Sequence, residues 1–125
     1  MAFRTNREYF DCLVERALET ITKRYFKYFK NIKIIVEDYP TREDVRELNV
    51  NKTSLLGLFR GAPYPIKNGF FDIPSPMPDA IVLFQKNIES ICSSEKELIR
   101  EIRKTLVHEV GHYFGLSEED LRKYE

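Results

Sequence analysis

Two histidines lie four residues apart in the stretch T-L-V-H-E-V-G-H-Y-F-G-L-S-E-E-D, residues 105–120. They are His108 and His112, the only histidines in the 125-residue sequence, and Glu109 follows the first of them. Residues four apart lie one turn apart on the same face of a helix, so the two imidazoles can converge on one metal ion. The pattern H-E-x-x-H therefore predicts a zinc site with Glu109 as its general base.

The helix that carries these residues is predicted to have separate metal and core faces. With His108 set at 0°, His112 falls at about 40° and Glu109 at about 100° around the helix axis. Apolar residues occupy the arc between about 120° and 200°, and they are Ile99, Ile102, Leu106, Val110 and Tyr113. Glu109 lies at the border, where a carboxylate can reach a water molecule on the metal. The competing interpretation is a solvated helix face with two incidental histidines.

A third protein ligand is expected among the residues that follow the second histidine. Gly115 stands at the glycine of the longer zinc pattern H-E-x-x-H-x-x-G-x-x-H, where glycine lets the chain turn back to the metal. Glu118 occupies the position of the last histidine, and zinc accepts carboxylate oxygen. Glu119 and Asp120 lie in the same turn and are alternative ligands. The run S-E-E-D from Ser117 also fits a helix capping box that needs no metal.

Length and composition predict a single domain that spans residues 1–125. Hydrophobic residues make up 42% of the chain and charged residues 32%, as in ordinary globular proteins. The 20 Lys and Arg residues balance the 20 Asp and Glu residues, so net charge gives no reason to expect nucleic acid or a membrane surface as partner. The N-terminal run M-A-F-R-T-N-R-E is charged where a signal peptide needs apolar residues. We therefore expect a cytoplasmic protein; its oligomeric state stays open.

The two cysteines, Cys12 and Cys92, are isolated and form no C-x-x-C pair. In a reducing compartment both are expected to be small, buried apolar residues. Ligation of the same metal by a cysteine is the alternative, but no spacing supports it.

Hydrophobic periodicity and capping residues predict an α+β fold. The apolar residues from Phe3 to about Phe29 recur at three- and four-residue steps, which indicates one or two helices. Further helices are predicted after Thr41, from Ser93 or Ser94 to Phe114, and from Ser117 to Leu121. Two stretches rich in β-branched residues, 31–38 and 79–86, are predicted to be strands. The segment 53–78 contains three of the five glycines, together with several prolines, and is predicted to be a loop.

Two segments are candidates for surfaces that bind a peptide or a nucleic acid. Strand 79–86 could pair with an extended peptide if it lay at the sheet edge, although its apolar residues fit a central core strand equally well. The run K-R-Y-F-K-Y-F-K, residues 23–30, mixes basic and aromatic residues as nucleic-acid surfaces do. Its aromatic residues continue the apolar stripe of the preceding helix, so we expect them in the core and expect no nucleic-acid partner.

Three blocks of the sequence resemble a family of small, mostly bacterial zincin-like metallopeptidase-domain proteins. They are G-L-F-R-G-A-P at 57–63, P-D-A-I-V-L-F-Q at 78–85 and H-E-V-G-H-Y-F-G-L-S-E-E-D-L at 108–121, within the C-terminal two-thirds of the chain. The resemblance implies a minimal zincin fold, with a small sheet packed against an N-terminal helix and the metal helix. The family has an acidic residue where Glu118 stands, which favours Glu118 as the third ligand.

Together these features predict a zinc-dependent metallopeptidase that acts on a peptide or protein substrate. One Zn²⁺ per chain is expected on His108, His112 and Glu118, with Glu109 as the base and no further cofactor. A second group must stabilise the oxyanion, and the candidates are Tyr64, Arg60 and Tyr113. The alternative function is a zinc-containing binding or scaffold module with little or no turnover. Glu109 speaks against that alternative, because a structural zinc site has no use for a carboxylate there.

Overall fold

The computed structural model describes residues 2–21, 27–29, 31–61 and 79–117, together with 119 and 122. Its helices are α1 (Arg7–Glu19), α2 (Arg42–Leu48), α3 (Gln85–Ser90) and α4 (Glu95–Tyr113), and a 3₁₀ turn spans Lys27–Phe29. Its strands are β1 (Lys33–Glu37), β2 (Gly57–Arg60) and β3 (Ala80–Phe84). These elements confirm the predicted α+β class. The predicted helix at 117–121 lies largely outside the described residues.

The three strands form one mixed sheet in the order β1-β3-β2. β1 runs parallel to β3 with Ile34 opposite Ile81, and β2 runs antiparallel to β3 with Phe59 opposite Ile81. All five residues of β3 are buried, as expected for a strand with a neighbour on each side. The suggestion that strand 79–86 lies at the sheet edge is therefore wrong. Within the described residues, β2 is the edge strand beside the metal helix.

The core lies between one face of the sheet and the two long helices. Side chains alternate along a strand, so Ile34, Val36, Ile81 and Leu83 share this face. They belong to one buried cluster with the apolar stripes of α1 and α4, which include Phe10, Leu13, Ala17, Leu98, Ile102, Leu106 and Val110. The apolar helix faces that the hydrophobic pattern predicted thus pack on the sheet, as the family resemblance implied. Phe29 is buried and Tyr28 packs against the same cluster, so these two aromatic residues of the basic run are core residues.

Two short elements differ from the sequence prediction. β2 lies inside the segment predicted to be a loop, because four residues that begin at a glycine carry little strand signal of their own and depend on pairing with β3. α3 begins at Gln85, inside the predicted strand 79–86. It is held by tertiary contacts, including two hydrogen bonds from the buried Asn87 amide to the carbonyls of Lys52 and Leu55, both 2.7 Å long.

The predicted caps of α2 and α4 are confirmed. Ser94 caps α4 by accepting a hydrogen bond from the Glu97 N–H, and Ser93 donates through both its N–H and its hydroxyl to the Glu97 carboxylate. Thr41 and Asp44 form a reciprocal capping box at the start of α2. Among the described helices, none is long and apolar enough to cross a membrane.

The segment before α1 is attached to α3 through a buried carboxylate. Glu89 is fully buried, and one of its oxygens accepts hydrogen bonds from the Thr5 N–H, the Thr5 hydroxyl and the Gln85 amide at 2.7–3.0 Å. The Arg4 guanidinium lies 3.6 Å from the other oxygen. A buried charge is tolerated only where partners of this kind replace its water. Glu89 therefore joins the start of the chain to the helix that follows the central strand.

Replacement of Glu89 by alanine is expected to lower the free energy of unfolding by about 2–4 kcal/mol, because it leaves buried donors without an acceptor and removes packed atoms. Urea denaturation measures this loss. Glu95→Ala is the control, since Glu95 is half-exposed and its contacts with Tyr9 and Arg16 lie at the surface. The control should change stability by less than about 1 kcal/mol. Equal losses in the two variants would contradict the buried role of Glu89.

The two cysteines have different environments. Cys92 is buried, and its burial, helped by the nearby Glu101 and Glu97 carboxylates, raises the pKa of its thiol to about 11. Cys12 lies on the exposed side of α1, so the expectation that both cysteines are buried is wrong for Cys12. Cys12 occupies a solvent-facing position of the helix, beside the buried Leu13.

Reaction of the native chain with a thiol reagent at pH 8 should therefore modify one cysteine quickly. Only a thiolate reacts, and the Cys92 thiol stays protonated and shielded well above pH 8. Spectrophotometric titration should show the second thiol only after denaturation, and Cys12→Ser should abolish the fast phase. Two fast thiols in the native chain would contradict the described burial of Cys92.

Candidate metal centre and active site

The last two turns of α4 bring the two histidines together. His108 is half-buried, His112 is exposed, and their ring centres are 6.0 Å apart. Zinc–nitrogen bonds of about 2.0–2.1 Å at a tetrahedral angle would place two ring centres roughly 5 Å apart. Small side-chain rotations therefore suffice for both imidazoles to bind one ion, and the pair fits the predicted metal.

Directly after the histidines, the chain turns sharply. The Gly115 N–H donates to the His112 carbonyl and the Leu116 N–H to the Gly111 carbonyl, which is the Schellman arrangement. Gly115 has a φ of 74°, a conformation that residues with a β-carbon rarely adopt. The predicted role of this glycine in ending the helix is confirmed. Leu116 packs against the core cluster and secures the turn.

The third ligand is not assigned by the described residues. Glu118 and Asp120 lie outside them, and Glu119 is exposed. Among the residues whose side chains the structure describes, Glu119 included, no three His, Cys, Asp or Glu residues cluster so that they could hold a metal. Glu118 and its alternatives thus remain predictions from the sequence.

Glu109 lies beside the histidines in a half-buried position. Burial raises the pKa of its carboxyl above the ordinary value, while the nearby His112 and a hydrogen bond from the Phe59 backbone N–H oppose that shift. A carboxylate with a raised pKa is a better proton acceptor near neutral pH than an exposed one.

The Phe59 N–H reaches Glu109 because of the pairing of the edge strand. The Phe84 N–H bonds to the Leu56 carbonyl, and hydrogen-bonded pairs alternate along an antiparallel ladder. Gly57 and Phe59 therefore fall at non-bonded pairs, and their peptide groups point away from β3. One of these outward groups, the Phe59 N–H, is turned toward Glu109, the predicted base.

β2 approaches α4 closely at Gly57. A β-carbon at this position would lie 2.6 Å from the Thr105 methyl group, 3.3 Å from the Val82 carbonyl oxygen and 3.6 Å from Glu109 Cγ. The first of these distances is far too short for carbon atoms, so only glycine fits without a shift. The bare backbone of Gly57 thus allows the edge strand to reach the predicted base.

A cavity of about 270 Å³ opens beside His108 and Glu109. One wall is formed by Leu55, Leu56 and Gly57 before and at the start of β2, and the other by α4 residues that include Glu101, Lys104 and Thr105. Neither wall could be predicted from the sequence, because the cavity forms only where β2 packs on α4. The nearest signal was Gly57, an otherwise unexplained glycine in a short apolar run.

Two of the three candidates for oxyanion stabilisation are placed by the structure, and neither is directed at the histidines. Arg60 lies on the sheet face opposite Gly57 and Phe59, where it bonds to Asp44 at 2.9 Å. Tyr113 stacks on Phe59 with ring centres 4.1 Å apart and donates its hydroxyl proton to Asp79 at 3.2 Å. Tyr64, the third candidate, lies outside the described residues.

An α+β fold in which H-E-x-x-H occupies a helix packed under a small mixed sheet defines a zincin-like protein. The sequence model of the zincin-like metallopeptidase family matches residues 29–125, and the chain belongs to this family. The match excludes α1 and the segment before it, which nevertheless pack against the metal helix. No curated protein matches the chain with significant similarity.

Replacement of Gly57 by alanine should lower the free energy of unfolding by about 1–3 kcal/mol, the usual range for an overpacked contact. The new methyl group collides with Thr105 Cγ2. Thr105→Ser deletes that methyl group and keeps the hydroxyl that bonds to the Glu101 carbonyl, so it should recover part of the loss in the double variant. Thermal denaturation of the single and double variants measures both effects. A Gly57→Ala chain as stable as the wild type would refute this close approach.

Proposed function

We propose that this protein is a zinc-dependent peptidase whose metal is held by His108, His112 and Glu118. One observation carries the proposal: two histidines that can share a metal lie beside a half-buried glutamate at the edge strand β2. The family match supports a metallopeptidase in general. A purely structural zinc site gives no reason for a half-buried carboxylate next to the predicted ligands.

Glu109 is the proposed general base and acid. Bound zinc supplies a Lewis acid and lowers the pKa of a coordinated water toward about 7. Glu109 takes a proton from the attacking water and delivers it to the leaving amine. The burial that raises the Glu109 pKa favours this proton transfer near neutral pH.

The outward edge of β2 is the proposed place for the substrate backbone. An extended peptide can add to an exposed sheet edge through main-chain hydrogen bonds. The Gly57 peptide group and the Phe59 carbonyl point outward from the sheet, whereas the Phe59 N–H is turned toward Glu109. A peptide paired there would run past the predicted base. This assignment moves the substrate from the central strand β3, where the sheet has no free edge, to β2.

The metal assignment is tested by elemental analysis of purified protein after zinc loading and dialysis. We expect about one zinc per chain in the wild type and in Glu109→Gln, and loss of zinc in His108→Ala, His112→Ala and Glu118→Ala. Glu119→Ala is the matched control and should keep its zinc. Peptide cleavage should fall by at least about 10²-fold in Glu109→Gln, because proton transfer contributes 10²–10⁴-fold.

Each result has a different meaning. Zinc retained by Glu118→Ala and lost by Asp120→Ala would move the third ligand to Asp120 and leave the rest of the site in place. Zinc bound by the wild type without any peptide cleavage would favour a zinc-containing binding module. A wild type that binds no zinc would refute the proposed function.

A further inference from the structure

The sheet has a second open edge at β1, on the side opposite β2 and the metal helix. Within the described chain, β1 pairs only with β3. The Lys33 N–H donates to the carbonyl of Asp79, just before β3. Because successive residues of a strand direct their backbone groups to opposite sides, the N–H and carbonyl groups of Ile34 and Val36 point away from β3.

Arg7 confirms this direction and covers only part of the edge. Its guanidinium donates to the Val36 carbonyl at 2.9 Å and to the side chains of Gln85 and Asp38 at 2.7 Å. In the described part of the chain, the Ile34 N–H, the Ile34 carbonyl and the Val36 N–H have no hydrogen-bond partner. A row of unpaired backbone groups at a sheet edge can pair with a further strand.

A cavity of about 370 Å³ lies beside this edge, between β1 and α1, and we call it the β1 groove. On the strand side it is lined by Ile34 and Val36, which are half-buried. The helix contributes one stripe about 100° wide, made up of Arg7, Asp11, Val14, Glu15 and Leu18. An extended peptide can add to such an edge through main-chain hydrogen bonds while alternate side chains enter pockets beside it.

Every second side chain of a strand added to β1 would enter the groove. Directly opposite residues of paired strands carry their side chains on the same face, and Ile34 and Val36 face the helices. Alternate side chains are spaced about 6.6 Å apart along a strand. The surface that they meet there is apolar, because Val14 is buried and Leu18 is half-buried beside the two strand residues. Lys33 points to the other face of the sheet, so its charge lies outside the groove.

The charges of the groove favour a basic side chain. Asp11 and Glu15 are exposed and one turn apart on α1, and neither forms an ion pair within the described residues. The Arg7 guanidinium, in contrast, is already occupied by the bonds given above. Lysine and arginine carry a charge at the end of an apolar stem, which can lie on Val14 and Leu18 while the charge reaches the two carboxylates. An acidic side chain would meet like charges instead.

We propose that the β1 groove binds an extended peptide segment with a lysine or arginine side chain directed at α1. The main chain of the segment pairs with the outward groups of Ile34 and Val36, and its basic side chain pairs with Asp11 and Glu15. The groove lies at the sheet edge opposite β2, so it is a second peptide-binding surface, separate from the proposed substrate site. The inference goes beyond the proposed hydrolysis and does not depend on it.

Two pentapeptides of opposite charge, Ac-Val-Lys-Val-Lys-Val-NH₂ and Ac-Val-Glu-Val-Glu-Val-NH₂, test the proposal. Each is titrated into the ¹⁵N-labelled, zinc-loaded Glu109→Gln chain, which is chosen to prevent cleavage, and followed by NMR. We expect the lysine peptide to shift the amide signals of Ile34, Val36 and Glu15 at about 10-fold lower concentration, because charge reversal turns attraction into repulsion. Equal responses to the two peptides, or shifts confined to β2, would overturn the groove.

Amide hydrogen exchange distinguishes strand addition from attachment by charge alone. The outward N–H groups of Ile34 and Val36 should exchange rapidly in the free chain, whereas the Ile35 N–H points toward β3. A saturating concentration of the lysine peptide should slow exchange at Ile34 and Val36 by at least about 10-fold and leave Ile35 unchanged. Binding without this slowing would refute the pairing of the peptide with β1.

Charge-removing variants test the selectivity. Asp11→Asn and Glu15→Gln should each weaken binding of the lysine peptide by about 2–5-fold, the effect of one exposed ion pair. Glu47→Gln is the matched control, since Glu47 is exposed on α2 and does not line the groove. An equal loss in all three variants would show that binding follows the net charge of the chain and would refute the groove.

The outcomes for the two peptide sites are independent. A chain that binds the lysine peptide at β1 but binds no zinc would support the groove and refute only the proposed hydrolysis. Zinc-dependent cleavage by the wild type without binding at β1 would refute only the groove.

Discussion

The approach of β2 to α4 at Gly57 is the constraint on which the site depends. Because no side chain separates strand from helix there, the Phe59 N–H can reach Glu109 and the outer edge of the sheet runs past the histidines. The core fixes the helix from the other side through Ile102, Leu106 and Val110. A helix held firmly on its apolar face and approached closely on its polar face cannot rotate without breaking one contact or the other. The geometry of the site is thus a result of packing on both sides.

The features that the sequence predicted correctly are those that depend on neighbours in the chain. Helix geometry alone places residues four apart on one face, so the His108–His112 pair follows from spacing. Ser94 and Gly115 act on backbone groups within a turn of themselves, and both helix ends came out as predicted. The class of fold follows equally from local periodicity. Structural features that depend on interactions within about one helical turn can therefore be predicted from the sequence.

The features that were missed or misplaced depend on distant partners. β2 is a strand because β3 lies beside it, and α3 is secured by Asn87 through carbonyls more than thirty residues earlier in the chain. The direction of Arg60 depends on which face of β2 meets the helix, which its sequence neighbours do not reveal. The general preference of cysteine for buried positions does not hold for Cys12, because its position around α1 places it on the exposed side of the helix. The third ligand stays a prediction from the pattern H-E-x-x-H-x-x-G.

The turn at Gly115 bears on how tightly a metal ion would be held. A ligand on a long, flexible segment loses conformational entropy when it binds the ion, whereas a ligand on a short, restrained segment is already close to the ion. Two backbone hydrogen bonds and the packing of Leu116 restrain the chain between His112 and Ser117 before any ion arrives. If the third ligand is an acidic residue just after Ser117, as the sequence predicts, it would start at a high local concentration near the ion. The hydrogen-bonded end of the helix would then contribute a chelate effect, because part of the entropic cost of binding the ion is met when the chain folds.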